Sequence, residues 1–103
     1  MEIRVANGTR RDDITLPMGD ADLTDRMERI GIEDIRPKCK FVTSLNGESV
    51  IDRLTGQIVD MDEVNYLVKR IESLTEYEKE VMTAFAEAKK IDSAKDLINL
   101  TFS

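Results

Sequence analysis

The chain has 103 residues, 41% hydrophobic and 35% charged, with 15 Lys plus Arg against 21 Asp plus Glu and a net charge of -6. That size suits one domain, or two small modules sharing a core, with little surplus for a disordered tail. The absence of His removes the usual neutral-pH acid/base, His-containing zinc sites and His-dependent nucleophiles, and a single Cys removes an intramolecular disulfide and a cysteine metal cluster. The acidity argues against direct nucleic-acid binding, which needs a basic footprint, and for a basic partner. No apolar run approaches the ~18 residues of a membrane span, and Met1-Glu2-Ile3-Arg4 opens no signal-peptide core, so the expected compartment is the cytoplasm.

In chain order, Glu2-Ile3-Arg4-Val5-Ala6 alternates as a half-buried strand and Asn7-Gly8 marks a turn. Ile14-Thr15-Leu16 is a second extended piece. Beyond Pro17 and Gly19, the spacing of Leu23, Met27 and Ile30 predicts a helix that Asp20 or Asp22 caps and Gly31 ends. Residues 38–45 return to period 2, with Cys39, Phe41, Thr43 and Leu45 on one face. Asn46-Gly47 is a hairpin signal, so Ser49 to Leu54 reads as a returning strand, with a short helix as the alternative. Asp60-x-x-Glu63 then makes a capping box ahead of Val64, Leu67, Val68 and Ile71, and Thr75-x-x-Glu78 makes another. The helix it opens carries Tyr77, Val81, Ala84, Phe85 and Ala88 on its apolar side and Lys89-Lys90 at its end. Asp92 or Ser93 caps a last helix bearing Leu97, Ile98 and Leu100.

The expected fold class is therefore α+β. A small antiparallel sheet with one helix occupies residues 1–58, and a helical module of about three helices, residues 59–103, packs against it. Splitting after Val59 gives 11 acids and 9 bases before and 10 acids and 6 bases after, so acidity leans toward the helical part.

Motifs for catalysis are weak. Cys39 sits on an inward strand face without an acid-base partner and reads as a small core hydrophobe. The glycines form no phosphate cradle, Asp20, Asp22 and Asp25 lack the offsets of a calcium loop, and the pairs Asp12-Asp13 and Glu33-Asp34 carry no specific signal. Tyr66 and Tyr77 read as core-edge residues with wet hydroxyls. The chain is expected not to be an enzyme, and no catalytic residue, metal ligand or cofactor is assigned. The most suggestive feature is acidic: Glu76, Glu80 and Glu87 fall opposite Val81 and Phe85, with Asp60, Asp62, Glu63 and Glu72 on the helix before. A solvated helix face is the commonest origin of such a pattern.

The segment Asn65-Tyr66-Leu67-Val68-Lys69-Arg70-Ile71 with Leu74, then Glu80, Phe85-Ala86 and Asp96-Leu97-Ile98-Asn99-Leu100-Thr101-Phe102, resembles the ArdA-type antirestriction proteins. Ile14-Thr15-Leu16-Pro17 ahead of an acidic helix, and Lys40-Phe41-Val42-Thr43 after it, look like the same family's N-terminal module. The resemblance implies an acidic DNA mimic from a mobile genetic element. Such a protein blocks the basic DNA-binding groove of a type I restriction-modification enzyme by occupancy, without a cofactor, and pairs as a homodimer. Asp60, Asp62, Glu63, Glu72, Glu76, Glu80 and Glu87 would then stand in for phosphates. The chain departs from the family in having Asp12 where an aromatic is usual, Thr43-Ser44-Leu45 where a strand end is acidic, and an end at Ser103. It is expected to be a short relative or a piece of a longer protein. Duplex DNA carries one charge per ~1.7 Å, so a net of -6 matches only about 10 Å of it, roughly 3 bp. The alternative from the sequence is a non-catalytic interaction or regulatory module of a conjugative element that binds through apolar surface. Salt separates the two, because charge mimicry loses affinity as salt rises and an apolar interface does not.

Overall fold

A computed structural model describes residues 1–46 and 50–102. β1 (Glu2–Asn7) and β2 (Arg10–Thr15) form a hairpin through Gly8, whose φ of +61° is a turn conformation that glycine adopts without strain. β3 (Lys38–Ser44) pairs with the other side of β1, and the short β4 (Ile58–Asp60) pairs with β3, giving an antiparallel sheet in the order β2-β1-β3-β4. Helices α1 (Asp20–Arg29), α2 (Met61–Glu72), α3 (Glu76–Lys89) and α4 (Ala94–Leu100) complete an α+β fold. Among the described residues no helix is long and apolar enough to cross a membrane.

The first strand and the α2 helix follow their patterns. Ile3 and Val5 are fully buried, and Met61, Val64, Leu67, Val68 and Ile71 form the buried stripe of α2. They join Leu23, Met27, Phe41 and Leu97 in one hydrophobic cluster fed by every helix. The module boundary expected at 58/59 falls inside β4, which runs directly into α2. The loop between α3 and α4 is tied back to this region, Arg53 donating to the Ile91 carbonyl and Gln57 Nε2 to the Asp92 carbonyl at 2.7 Å.

Several expectations need correction. Asp20 and Asp22 do not cap α1: its N-cap is Gly19, without a side-chain bond, and the two aspartates lie in the first turn, where the helix dipole favours them. Gly31 does end that helix, its φ of +84° letting the Ile32 amide close on the Met27 carbonyl at 2.9 Å. Thr43 is half-buried and Leu45 is 38% exposed. The cause is a bulge: Arg4 opposes Thr43 and Val5 opposes Phe41, so Val42 is an extra residue that breaks the alternation.

Ser49 to Leu54 is not a returning strand where it is described. Ile51–Leu54 is a short 3-10 helix burying Ile51 and Leu54. Val50, Ile51 and Leu54 share one side of a helical turn, whereas a strand would send Val50 and Ile51 to opposite faces. The Ser44 amide and hydroxyl both donate to Asp52 Oδ1, at 2.9 and 2.8 Å, fastening this turn to the end of β3. The turn expected at Asn46-Gly47 lies, beyond Asn46, outside the described residues, as does Ser49.

Candidate interaction surface

Helix α3 carries the main departure from its sequence pattern. Thr75 and Glu78 form the expected capping box, the Thr75 hydroxyl accepting from the Glu78 amide at 3.2 Å and the Glu78 carboxylate accepting from the Thr75 amide at 2.9 Å. Those hydrogen bonds hold the Glu78 carboxyl below the usual carboxylate range. Beyond the cap the helix is rotated from expectation. Its buried residues are Met82 and Ala86, with Lys79 and Thr83 half-buried beside them. The side expected to face inward instead faces solvent: Tyr77 is 74%, Val81 50% and Phe85 46% exposed, and Ala84 and Ala88 are exposed with them. At 100° per residue, Ala84, Tyr77 and Ala88 lie almost diametrically opposite the Met82–Ala86 line. Tyr77 is therefore an outward residue, not a core-edge one.

Alongside this stripe runs a groove of about 310 Å³, floored by Leu74, Met82 and Leu100 and edged by Tyr77, Val81 and Phe85. Its far wall is the end of α4, which Arg70 of α2 fixes. Arg70 Nε donates to Thr101 Oγ1 at 3.1 Å and Nη2 to the Thr101 carbonyl at 2.9 Å, while the guanidinium stacks 3.9 Å over the Phe102 ring. Thr101 is buried and its hydroxyl also donates to the Ile98 carbonyl. This threonine thus serves the core, whereas Asn99 is exposed.

The acids named from the sequence lie on α2 and α3, with Glu76, Glu80 and Glu87 exposed together on one side of α3. Asp60 is the N-cap of α2, Oδ1 accepting from the amides of Asp62 at 2.9 Å and Glu63 at 3.4 Å, which is the Asp60 half of the expected box. Glu72 lies 3.2 Å from the N-terminal ammonium and Glu76 3.3 Å from Lys79 Nζ. Glu80 and Glu87 are exposed on α3 and Glu63 is half-buried. Asp62 and Glu72, ten residues apart on one helix, are separated by about 15 Å along its axis.

A second acidic grouping was not legible in the chain. Asp62 is exposed, yet local desolvation by the cleft wall and the neighbouring carboxylates of Asp60 and Asp20 push its carboxyl above its usual range, with Arg36 opposing them. Asp20 and Asp62 line an open cleft of about 880 Å³ with Pro17, Tyr66 and Lys69. Tyr66 is 45% exposed there.

The remaining acid pairs have structural partners. Asp13, directly across from Arg4 in the β1–β2 register, accepts from its Nε and Nη2 at 2.8 and 3.1 Å, which lowers the Asp13 pKa. Asp12 opposes Val5 and so shares the inward face, where Arg26 of α1 meets it at 2.9 and 3.0 Å. An inward-pointing charge on the edge strand β2 also discourages further strand pairing. Cys39 is buried, and burial pushes its thiol up to about 12, so it is neutral at physiological pH.

Comparison with protein-family models, curated proteins and solved structures returned no match to this chain.

Proposed function

We propose that the chain is a non-catalytic protein-binding module whose contact surface is the solvent-facing apolar side of α3. The observation that carries this reading is the outward orientation of Tyr77, Val81, Ala84, Phe85 and Ala88 beside a formed apolar groove. A surface helix ordinarily turns its apolar stripe to the core, and contiguous exposed apolar area marks interaction sites. Burying one Val or Phe side chain at an interface contributes about 1.5–3 kcal/mol, so a stripe of this kind supplies useful affinity without any reaction.

The test is photocrosslinking in the source cell with a benzophenone amino acid at Ala84 or, as control, at Lys40 on the sheet. The captured protein is then purified and titrated against wild type and Val81→Glu. An adduct formed at Ala84 but not at Lys40, with affinity lost in Val81→Glu, supports the reading. No adduct at Ala84, or equal adducts at both positions, overturns it.

A second reading, antirestriction by DNA mimicry, is supported by the net charge of -6 and by the convergence of Asp20, Asp60 and Asp62. It predicts that the chain displaces a duplex from a type I methyltransferase and that displacement fades as salt rises. No displacement at high micromolar chain contradicts it.

A further inference from the structure

The occupant of the α3 face can be specified further, on the basis of the reading just given. Tyr77, Val81, Ala84 and Ala88 are spaced 4, 3 and 4 residues apart, the interval that keeps side chains on the seam between two packed helices. With Val81 as a first core position, Glu80 and Glu87 flank the seam on one side, and Glu78 and Phe85 on the other. The charge flanking the exposed stripe is therefore of one sign through its first three turns, and Lys89 and Lys90 come only at its end. The seam narrows from Tyr77 and Val81 to Ala84 and Ala88, leaving room for large side chains opposite the alanines. The 310 Å³ groove beside Val81 has the size for one further apolar side chain.

These features discriminate between a second copy and another protein. In an antiparallel self-pairing that sets Val81 against the second copy's Ala84, Glu80 faces the second copy's Glu87, and symmetry repeats this like-charge contact. On the other flank Glu78 comes near the second copy's Lys89, but that carboxylate is already held by the Thr75 amide in the capping box, and an exposed pair of this kind is worth little. In a parallel self-pairing Glu80 faces Phe85 and gains no counter-charge. A helix bearing Lys or Arg at the flanking positions meets Glu78, Glu80 and Glu87 favourably in either direction.

We infer that the α3 face binds an amphipathic helix of a different protein, with large apolar residues on its seam and Lys or Arg on its flanks. The probes are three fluorescein-labelled helical peptides of equal length: Leu seam with Lys flanks, Leu seam with Glu flanks, and Ser seam with Lys flanks. Anisotropy titration with the full chain is expected to give binding of the Leu/Lys peptide about tenfold tighter than either other peptide, weakened about tenfold by Val81→Glu. Equal binding of the two Leu peptides removes the basic partner while leaving the docking face in place. Equal binding of the two Lys peptides, with no effect of Val81→Glu, shifts binding to the acidic surface and overturns both readings. A chain that sediments as a dimer, dissociated by Val81→Glu, makes the occupant a second copy and overturns the inference alone. Binding of no peptide by a monomeric chain overturns the inference, whereas the Ala84 crosslink independently decides the docking reading.

Discussion

Asn65 holds the Met18 peptide from both sides: its Oδ1 accepts from the Met18 amide at 3.0 Å and its Nδ2 donates to the Met18 carbonyl at 2.8 Å. One side chain on α2 thereby satisfies both polar groups of a loop residue 47 positions earlier, between β2 and α1. Replacing Asn65 with Ala leaves a part-buried donor and acceptor without this partner, a cost of about 1–3 kcal/mol. For a domain of this size each kcal/mol lowers the melting temperature by about 4–8 °C. Thermal unfolding of Asn65→Ala checks this, and Asn65→Asp, which keeps only the acceptor, should also be destabilised.

The Asp62 carboxyl gives a pH dependence of known sign. Its pKa is raised on folding, by local desolvation first and by the Asp60 and Asp20 charges next, so the ionised form costs stability, by an amount that solvent screening keeps small at this exposed position. That cost is present in full above the folded pKa and vanishes below the unfolded one. Asp62→Asn is therefore expected to melt slightly higher than wild type at pH 7, with the difference closing by about pH 3. Glu78 and Asp13 have lowered pKa values and act with the opposite sign: their contribution is present above the unfolded pKa and lost as pH falls through the folded one. Melting curves from pH 3 to 7 on Asp62→Asn and Glu78→Gln separate the two directions.

Lys90 ends α3 at φ +55° and ψ +42°, a left-handed conformation that costs a side-chain-bearing residue about 1–2 kcal/mol. Glycine removes that strain but loses about 0.5–1 kcal/mol through its freer unfolded chain. Lys90→Gly should therefore be neutral to stabilising, by up to about 1.5 kcal/mol, read as an unchanged or increased denaturation midpoint in urea with unchanged slope.

Much of the fold was legible because local signals agreed with one another. The α2 stripe, both N-caps of the long C-terminal helices, the first strand and the turn at Asn7-Gly8 each carry their own chemistry, and all are present, whereas β2 starts at Arg10, four residues before the extended piece expected at Ile14. Expectation failed where a pattern had two solutions. Val50, Ile51 and Leu54 suit a strand or a helical turn, and the preceding Asn46-Gly47 tipped the reading toward a strand. In α3 two apolar arcs compete, Met82 with Ala86 and Tyr77 with Val81, Ala84, Phe85 and Ala88. The richer arc predicts the core-facing side, yet the narrow Met82–Ala86 side packs there and leaves the richer one outside. The width of the combined arc was the available signal, since a helix that is apolar over most of its circumference needs partners on more than one side. The Asp20–Asp62 proximity depends on how α1 meets α2, which no local pattern encodes.

The central claim is that binding resides on the α3 face and not on the Asp20–Asp60–Asp62 grouping. It is tested most directly by titrating the partner captured at Ala84 against two full-length variants whose folding is verified by melting: Val81→Glu, and Asp20→Lys with Asp62→Lys. The account predicts a loss of about tenfold or more for Val81→Glu and a change within about twofold for the charge-reversed pair. The reverse pattern, with Val81→Glu neutral and the charge reversal disruptive, would contradict it.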